Sequence, residues 1–142
     1  KDDNATSLYK KIILKSQKLI DNFMPKLKKK TNLYVSYKNP KPSNYWRKRF
    51  FLDGEIDWRM SAKNIHNLVK SLTDPYPYAH FLFNKKVIKV IKTKIINQKL
   101  KNIEPGKIIE NKNKMIIIKC GEHAIQLVKT FPKVRLKNNL YL

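Results

Sequence analysis

The sequence predicts an α+β fold: an N-terminal amphipathic helix and a linker, then a second helix and a small five-stranded β-barrel. Two changes of pattern along the chain predict this arrangement. Apolar residues recur at helical spacing in residues 2–30 and 61–74, and from residue 80 onward the period changes to two. The 142 residues are 42% hydrophobic, which is enough for the core of one ordinary domain.

The first helix is predicted from an apolar stripe in "DDNATSLYKKIILKSQKLIDNFMPKLKKK", with lysines on the opposite face. Its stripe consists of Ala5, Leu8, Tyr9, Ile12, Leu19, Ile20 and Phe23. Asp2, Asp3 and Asn4 supply capping acceptors, and Pro25 with the lysine run 28–30 is expected to end the helix. Such a stripe must pack against another surface, and the rest of the sequence offers no evident partner for it.

The linker and the second helix follow from proline and capping signals. Residues 37–54 contain Pro40 and Pro42, which favour an extended connector. In "SAKNIHNLVKSLTD", Ser61 is the expected cap, and the buried stripe is predicted to comprise Ala62, Ile65, Val69 and Leu72. The helix is expected to stop before Pro75 and Pro77.

Five short segments after this point have the β-branched composition of strands. They are "HFLF", "KVIKVIKTKII", "GKIIE", "KMIIIKC" and "AIQLVKTF", separated by "NKK", "EPG" and "CGEH". Five strands that follow one helix predict a closed or nearly closed barrel.

The formal net charge of +22 is extreme for this length and predicts attraction to phosphate groups. A second explanation stays open, because lysine, asparagine and isoleucine share A/T-rich codons and genome composition can enrich them together. Arginine is the more informative residue, since its fork matches phosphate geometry, and only four of the 32 basic residues are arginines. Two of these arginines lie in the run Arg47, Lys48, Arg49, which we predict to contact substrate phosphates or nucleic acid near a cleft between domains.

Several classes of protein are excluded by what the sequence does not contain. Cys120 is the single cysteine, so a disulfide framework and a thiolate metal cluster are excluded, and a buried, inert thiol is expected. No apolar run approaches the ~20 residues of a membrane span. The first residues have no signal-peptide pattern, so we expect a reduced, cytoplasmic setting. The abrupt start without methionine leads us to expect a fragment of a longer chain.

The segment "DGEIDW", residues 53–58, has two possible interpretations. Its alternating carboxylates are ligands that a divalent cation prefers, but no further ligands are expected nearby. The structural interpretation is favoured: Asp53 and Gly54 form a turn, Trp58 anchors the segment in the barrel domain, and Asp57 accepts backbone donors or pairs with Arg59. We therefore predict a hinge anchor and no metal site.

The order of motifs resembles the C-terminal half of the formyltransferases that use 10-formyltetrahydrofolate. The motif "R-x-x-x-D-G-x-I-D-W" is matched by Arg49, Asp53, Gly54, Ile56, Asp57 and Trp58. The motif "P-[YW]-P-G-A" is matched by Pro75, Tyr76, Pro77 and Ala79, with Tyr78 in place of glycine. "P-G-x-I" is matched by Pro105, Gly106 and Ile108, and "C-G-x-G-x-L-x-L" by Cys120, Gly121 and Leu127, with a looser turn at residues 122–124. The opening "DDNATSLYKKI" looks like the last helix of the family's Rossmann-like catalytic domain.

The resemblance implies that the catalytic residues and the 10-formyltetrahydrofolate site lie upstream of Lys1, so that this chain carries no catalytic residue and is inactive alone. The sequence "NIH" at residues 64–66 imitates the catalytic "N-x-H" of the family, but it lies in a predicted helix, so His66 is interpreted as a packing or surface residue. His80 and His123 are too far apart in sequence to suggest a ligand pair. The implied domains are residues 1–36 as the terminal helix of the catalytic domain, 37–54 as the linker and 55–142 as an OB-like barrel domain.

Three functions remain open at this point. "NYWRKR" looks like the linker of the sugar N-formyltransferases, and "IHN…DPYPYA" is nearer to the aminoarabinose formyltransferase pattern, so a sugar nucleotide is the favoured acceptor. The positive charge favours initiator tRNA and a methionyl-tRNA formyltransferase. The third possibility is a stand-alone basic barrel that binds RNA, with Tyr34, Tyr37, Tyr45 and Trp46 stacking bases. The expected partners are the catalytic domain, one of these acceptors and a second copy of the chain in a homodimer; no membrane is expected.

Overall fold

The computed structural model describes residues 3–29, 44–98, 100–112 and 115–142. Its helices are α1 (Ala5–Lys28) and α2 (Ala62–Ser71), with a short 3₁₀ turn at Phe51–Gly54. Its strands are β1 (Ala79–Phe83), β2 (Lys86–Ile96), β3 (Ile108–Lys112), β4 (Met115–Lys119) and β5 (Ala124–Phe131). Asp2, Lys30, Tyr34, Tyr37 and the linker as far as residue 43 lie outside the described residues.

The five strands form one antiparallel sheet in the order β1-β2-β5-β4-β3. The predicted α+β class and all five predicted strands are therefore confirmed. The register shifts within β2, between Val90 and Thr93, and within β3, between Ile108 and Glu110. Such bulges increase the local twist of a strand and curl the sheet. In this ladder β1 and β3 are the edge strands.

The chain divides into two units. One unit comprises Phe50–Leu142 together with the first six residues, and the other comprises Ser7–Arg49. In the first unit, the Thr6 hydroxyl donates to the carbonyl of Asp74, and the Thr6 N–H donates to Thr73 Oγ1 at 3.3 Å. The start of α1 is thus hydrogen-bonded to the loop that follows α2.

Helix α1 ends at Lys28, within the lysine run that was expected, together with Pro25, to end it. Pro25 lies inside the last turn of the helix. Proline lacks its own N–H donor, but its carbonyl still accepts: the N–H of Lys29 donates to it at 3.2 Å. No residue of α1 is buried, and large apolar side chains such as Leu19 and Ile20 are 68% and 58% exposed. Among the residues described, neither helix has the length and hydropathy of a membrane-spanning segment.

Helix α2 packs on the sheet through the predicted face. Ser61 caps it, since its Oγ accepts the N–H of Asn64 at 3.2 Å. Ala62, Ile65 and Val69 are at most 1% exposed, and they join a core built from the alternating inward residues of the strands. The largest fully buried apolar residues of the strands are Ile108, Ile118, Ile125 and Val90.

Candidate functional site

The segment Asp53–Trp58 is attached to the first unit by its backbone. The Asp53 carboxylate accepts the N–H of Phe50 at 2.7 Å and closes the 3₁₀ turn. Gly54 is buried, and a Cβ on it would lie 3.2 Å from the Tyr78 carbonyl oxygen. The N–H of Ile56 donates to the carbonyl of His80 at 2.8 Å, which adds the segment to the edge of β1. Trp58 is 7% exposed.

Asp57 makes both interactions that the sequence suggested. Its Oδ1 accepts the backbone N–H of Arg59 at 2.9 Å, and the two carboxylate oxygens accept Nε and Nη2 of the same arginine at 2.8–3.2 Å. The side-chain hydrogen bond from Arg59, followed by the backbone bond, holds the pKa of Asp57 below its ordinary value. Both groups are exposed, so the pair orders the turn and adds little stability. Within the described ranges, no three His, Cys, Asp or Glu residues are close enough to hold a metal ion.

Two glycine-containing turns from distant parts of the chain contact the segment around Trp58. The N–H of Gly121 donates to the carbonyls of Trp58 and Met60 at 3.0 and 2.9 Å, and a Cβ on this glycine would lie 1.9 Å from the Arg59 carbonyl oxygen. Gly106 has a φ of +89°, and a Cβ added to it would lie 2.8 Å from the Leu142 carbonyl oxygen and 3.7 Å from Trp58 Cδ1. Three of the motifs noted in the sequence therefore form one packed cluster around Trp58.

The proline motif reaches the same cluster through β1. Phe81 packs edge-on against the Trp58 ring, with the ring centres 5.6 Å apart. Tyr78 stands where the resembled motif has glycine, and its φ of +69° is in the left-handed region that favours glycine. His123 occupies the second glycine position of the last motif and has a φ of +65°. The sequence showed both substitutions, but only the backbone shows that both residues adopt a strained conformation.

The basic run Arg47, Lys48, Arg49 lies just before the first unit, in an exposed segment without regular secondary structure. Arg47 Nη1 donates to the Lys48 carbonyl at 3.3 Å. The neighbouring Tyr45 and Trp46 are 97% and 86% exposed, so neither ring is packed into the described part of the structure. The contact of this run with substrate phosphates stays a prediction, as does the hinge role of Asp53, Gly54, Asp57 and Trp58.

The histidines His66 and His80 and the single cysteine make contacts that are typical of structural residues. His80 is 1% exposed and stacks on Phe51 with 4.0 Å between the ring centres. His66 lies on α2, and its Nδ1 is 2.8 Å from Thr93 Oγ1. Cys120 is fully buried, and burial raises the pKa of its thiol to about 12, so it carries no thiolate near neutral pH.

A groove between α2 and the strands β2 and β5 was missed by sequence reasoning. It consists of two cavities of about 620 and 490 Å³ that share His66 and Lys70. Lys92 on β2 and Lys129 on β5 both line the larger cavity. The alternation of lysine with β-branched residues along β2 was the available signal, but the position of α2 beside it could not be predicted.

Comparison with known proteins found one matching family model, a relative in sequence and a solved structure with a similar fold. The family model described as "Formyl transferase, C-terminal domain" matches residues 52–136. The bifunctional polymyxin resistance protein ArnA of Wigglesworthia glossinidia brevipalpis is 36% identical over 127 residues, which are 89% of this chain and 18% of that protein. A multiply substituted variant of HypX from Aquifex aeolicus matches with a TM-score of 0.54 and 15% identity, over 84% of this chain and 20% of that one. The likeness to HypX shows a common fold alone.

Proposed function

The chain belongs to the formyltransferases through their C-terminal domain family, and on that premise we propose that it is the C-terminal portion of an enzyme that formylates a sugar nucleotide. The formyl group comes from 10-formyltetrahydrofolate and is transferred to the amine of the sugar. The family match covers residues 52–136, and the ArnA relative is matched over 89% of this chain.

The observation that supports this assignment best is the cluster around Trp58. Motifs from distant parts of the sequence meet there through the backbone hydrogen bonds of Gly121 and its close approach to the Arg59 carbonyl, while a Cβ on Gly106 would lie at ordinary contact distance from the indole. The turn at Asp57–Met60 is held by Gly121 on one side, and Gly106 lies against the indole on the other. Since each motif is explained by its contact with the others, the motif set behaves as one structural signature of the domain.

A sugar nucleotide is the favoured acceptor because of the segment that precedes this cluster. "NYWRKR" at residues 44–49 looks like the linker of the sugar N-formyltransferases, and its described side chains are exposed. Arg47 and Arg49 offer guanidinium forks that match the two oxygens of a phosphate. The relative in Wigglesworthia is named for polymyxin resistance, and its name makes no reference to tRNA.

Catalysis and the folate are assigned to residues outside this chain. The two cavities beside α2 do not fit the pteridine of 10-formyltetrahydrofolate, because they are lined mainly by lysine, histidine, asparagine and threonine. Glu122 is the one carboxylate that lines either cavity within the described ranges, and it faces His123, so no carboxylate is placed to bind the polar edge of a pteridine. We therefore assign no catalytic residue and derive no step through the folate here.

The domain division proposed from the sequence is retained. Residues 1–36 form the end of a Rossmann-like catalytic domain, 37–54 the linker, and 55–142 an OB-like domain. In support, α1 carries a continuous apolar stripe with no buried residue, which is expected of a helix that packs against a further domain.

A methionyl-tRNA formyltransferase is the second candidate, and one observation favours it. The net charge of +22 is larger than a small acceptor requires and suits the phosphate backbone of a tRNA. A stand-alone RNA-binding barrel is the weaker alternative, because it would leave the stripe on α1 without a partner.

The test is a transfer assay with 10-formyltetrahydrofolate and the enzyme that contains both this chain and its catalytic domain. We expect formylation of at least one member of a panel of nucleotide-linked amino sugars, detected by mass spectrometry of the acceptor, and none of methionyl-tRNA. Formylation of methionyl-tRNA alone would establish the second candidate. If neither acceptor is formylated while RNA is bound, the stand-alone barrel would replace both enzymes.

A further inference from the structure

The side of strands β1, β2 and β5 that faces away from the core carries apolar residues. Residues that stand directly opposite each other in an antiparallel pair share one face of the sheet. Phe81 stands opposite Ile88, and both are buried in the core, so the next pair, Leu82 and Val87, points to the other side. Leu82 is 55% exposed. A large apolar side chain of β1 is thus left uncovered by the described residues.

A second row of residues on this outward side crosses all three strands. His80 stands opposite Lys89, which in turn stands opposite Phe131. Phe131 is 66% exposed, whereas His80 is 1% exposed because the Phe51 ring stacks on it with 4.0 Å between the ring centres. Strands lie ~4.8 Å apart and alternate residues of a strand ~6.7 Å apart, so Phe51, Leu82 and Phe131 lie within about 12 Å of one another.

The charge around these apolar residues is of one sign. We use "outer patch" for five residues on this side of the sheet: Phe51, Leu82, Val87, Lys89 and Phe131. The strands β1, β2 and β5 contain five lysines and no aspartate or glutamate. Lys129 precedes Phe131 by two positions on β5 and therefore lies on the same side as the patch. Asp53 and Glu55 belong to the segment along the open edge of β1, outside the three strands.

The charge and size of the outer patch disfavour a protein as its occupant. A second copy of a chain with a net charge of +22 would bring lysines against lysines. A specific protein interface buries ~800 Å² on each partner, which three partly exposed side chains of at most ~200 Å² each do not supply. The outer side of a sheet that curls around its core is also convex, so it offers no groove for a helix or a loop.

From these observations we propose that the outer patch docks the enzyme on an anionic lipid surface. Leu82, Phe131 and the Phe51 ring enter the boundary between the headgroups and the acyl chains, and Lys89 and Lys129 contact lipid phosphates. A lipid surface adapts to a convex protein and supplies apolar and anionic groups together. The sequence predicted no membrane because it contains no spanning segment, and a contact from one side needs none.

This inference goes beyond the proposed function and does not rest on it. The outer patch is built from β1, β2, β5 and the turn before them, and the proposed docking is the same whichever acceptor is formylated. The experiments below measure binding to lipid and involve no formyl transfer. Their failure would remove the lipid contact and leave the transfer assay to decide the enzyme class.

The first experiment is co-sedimentation of the enzyme that contains this chain and its catalytic domain with vesicles of equal parts phosphatidylcholine and phosphatidylglycerol. We expect saturable binding, at least about tenfold tighter than to phosphatidylcholine alone, because only the mixed vesicles carry net negative charge. Lys89→Gln/Lys129→Gln should weaken this binding at least about fivefold. The matched control Lys101→Gln/Lys137→Gln removes the same charge outside the three strands and should change binding less than about twofold.

The second experiment tests the apolar contact. Leu82→Ser/Phe131→Ser should weaken binding to the mixed vesicles at least about tenfold, since two side chains that enter the lipid are lost. The matched control is Met115→Ser/Tyr141→Ser, which replaces residues that are 39% and 50% exposed outside the three strands and should change binding less than about twofold. Circular dichroism checks that each variant is folded. High salt screens the lysines, so the binding that remains there should depend on Leu82 and Phe131.

Three outcomes would overturn the proposal. The native enzyme does not bind the mixed vesicles, which would mean that the outer patch is covered in the whole enzyme or has no affinity for lipid. The Leu82→Ser/Phe131→Ser variant binds as tightly as its control, so that the vesicles respond only to the general positive charge. Finally, light scattering shows that this variant alone splits an oligomer of the native enzyme, which would make the outer patch an interface between copies of the chain.

Discussion

Gly121 occupies a position where the backbone of another segment leaves no space for a side chain. Its N–H donates to two carbonyls of the turn at Trp58–Met60, and an added Cβ would lie 1.9 Å from the Arg59 carbonyl oxygen. Gly54 differs, since its added Cβ would be 3.2 Å from the nearest atom, the carbonyl oxygen of Tyr78. Both glycines appear in the motifs of the sequence, but the severity of each contact is visible only in the fold.

We predict that Gly121→Ala destabilises the chain by at least about 3 kcal/mol, because one of the two backbones must move. Gly54→Ala is the matched comparison and should cost about 1 kcal/mol, since its neighbours need to move by only a few tenths of an ångström. Urea unfolding of both variants measures the two free energies. Equal and small losses would contradict the close contact between the turns at residues 59 and 121.

The burial of Cys120 makes the stability of the fold depend on pH. Its thiol pKa rises from the ordinary value of 9.0 to about 12, chiefly because burial disfavours the thiolate. Below pH 9 the thiol is protonated in both the folded and the unfolded chain, so its contribution to stability is constant there. Above pH 9 the unfolded chain releases this proton while the folded chain keeps it, and stability falls until the folded pKa is reached.

We therefore expect the free energy of unfolding to fall more steeply with pH in the native chain than in Cys120→Ala, by up to about 1.4 kcal/mol per pH unit between pH 9 and 11. Urea unfolding at several pH values measures this difference. The variant is its own control for lysine titration, because its lysines are unchanged. Parallel curves for the two proteins would show that the thiol ionises as easily in the folded state as in the unfolded one.

At the scale of the element, the strands and α2 were predictable because local patterns and tertiary packing agree there. The period of two in β2 and the stripe of α2 both face the core, so each segment indicated its own burial. The end of α1 at Lys28 likewise agrees with the proline and lysine signals of residues 25–30. The position of α2 beside β2, and thus the groove between α2 and the strands β2 and β5, depends on strand order, which no single segment contains.

Helix α2 also offers a test of its cap. Ser61 Oγ accepts the N–H of Asn64, so Ser61→Ala should lower the free energy of unfolding by about 1 kcal/mol. Ser71, near the other end, donates its hydroxyl to the carbonyl of Leu68 at 2.9 Å and satisfies no orphan N–H. Ser71→Ala is therefore the matched control, with an expected loss below about 0.5 kcal/mol. The prediction fails if the two serines prove equivalent in urea unfolding.

At the scale of the whole molecule, the family was predictable and the acceptor was not. The motifs that identify a formyltransferase domain also make its internal contacts, so sequence and packing carry the same information around Trp58. The residues proposed to contact the acceptor are exposed, and an exposed lysine has the same sequence pattern whether it binds phosphate or only water. The predicted phosphate contact of the run Arg47–Arg49 therefore has to be tested by the effect of its substitution on acceptor binding.

We predict that Arg47→Gln/Arg49→Gln raises the KM of the enzyme for its nucleotide-linked acceptor about tenfold and changes kcat less than about twofold. The reason is that two guanidinium forks which hold phosphate oxygens are lost, while the reacting amine is held elsewhere. Steady-state kinetics with varied acceptor measures both constants. Lys101→Gln/Lys133→Gln removes equal charge at other exposed sites and should leave KM near the native value, which separates a specific contact from the general field of the protein. An unchanged KM in the arginine variant would mean that this run serves only to connect the two parts of the enzyme.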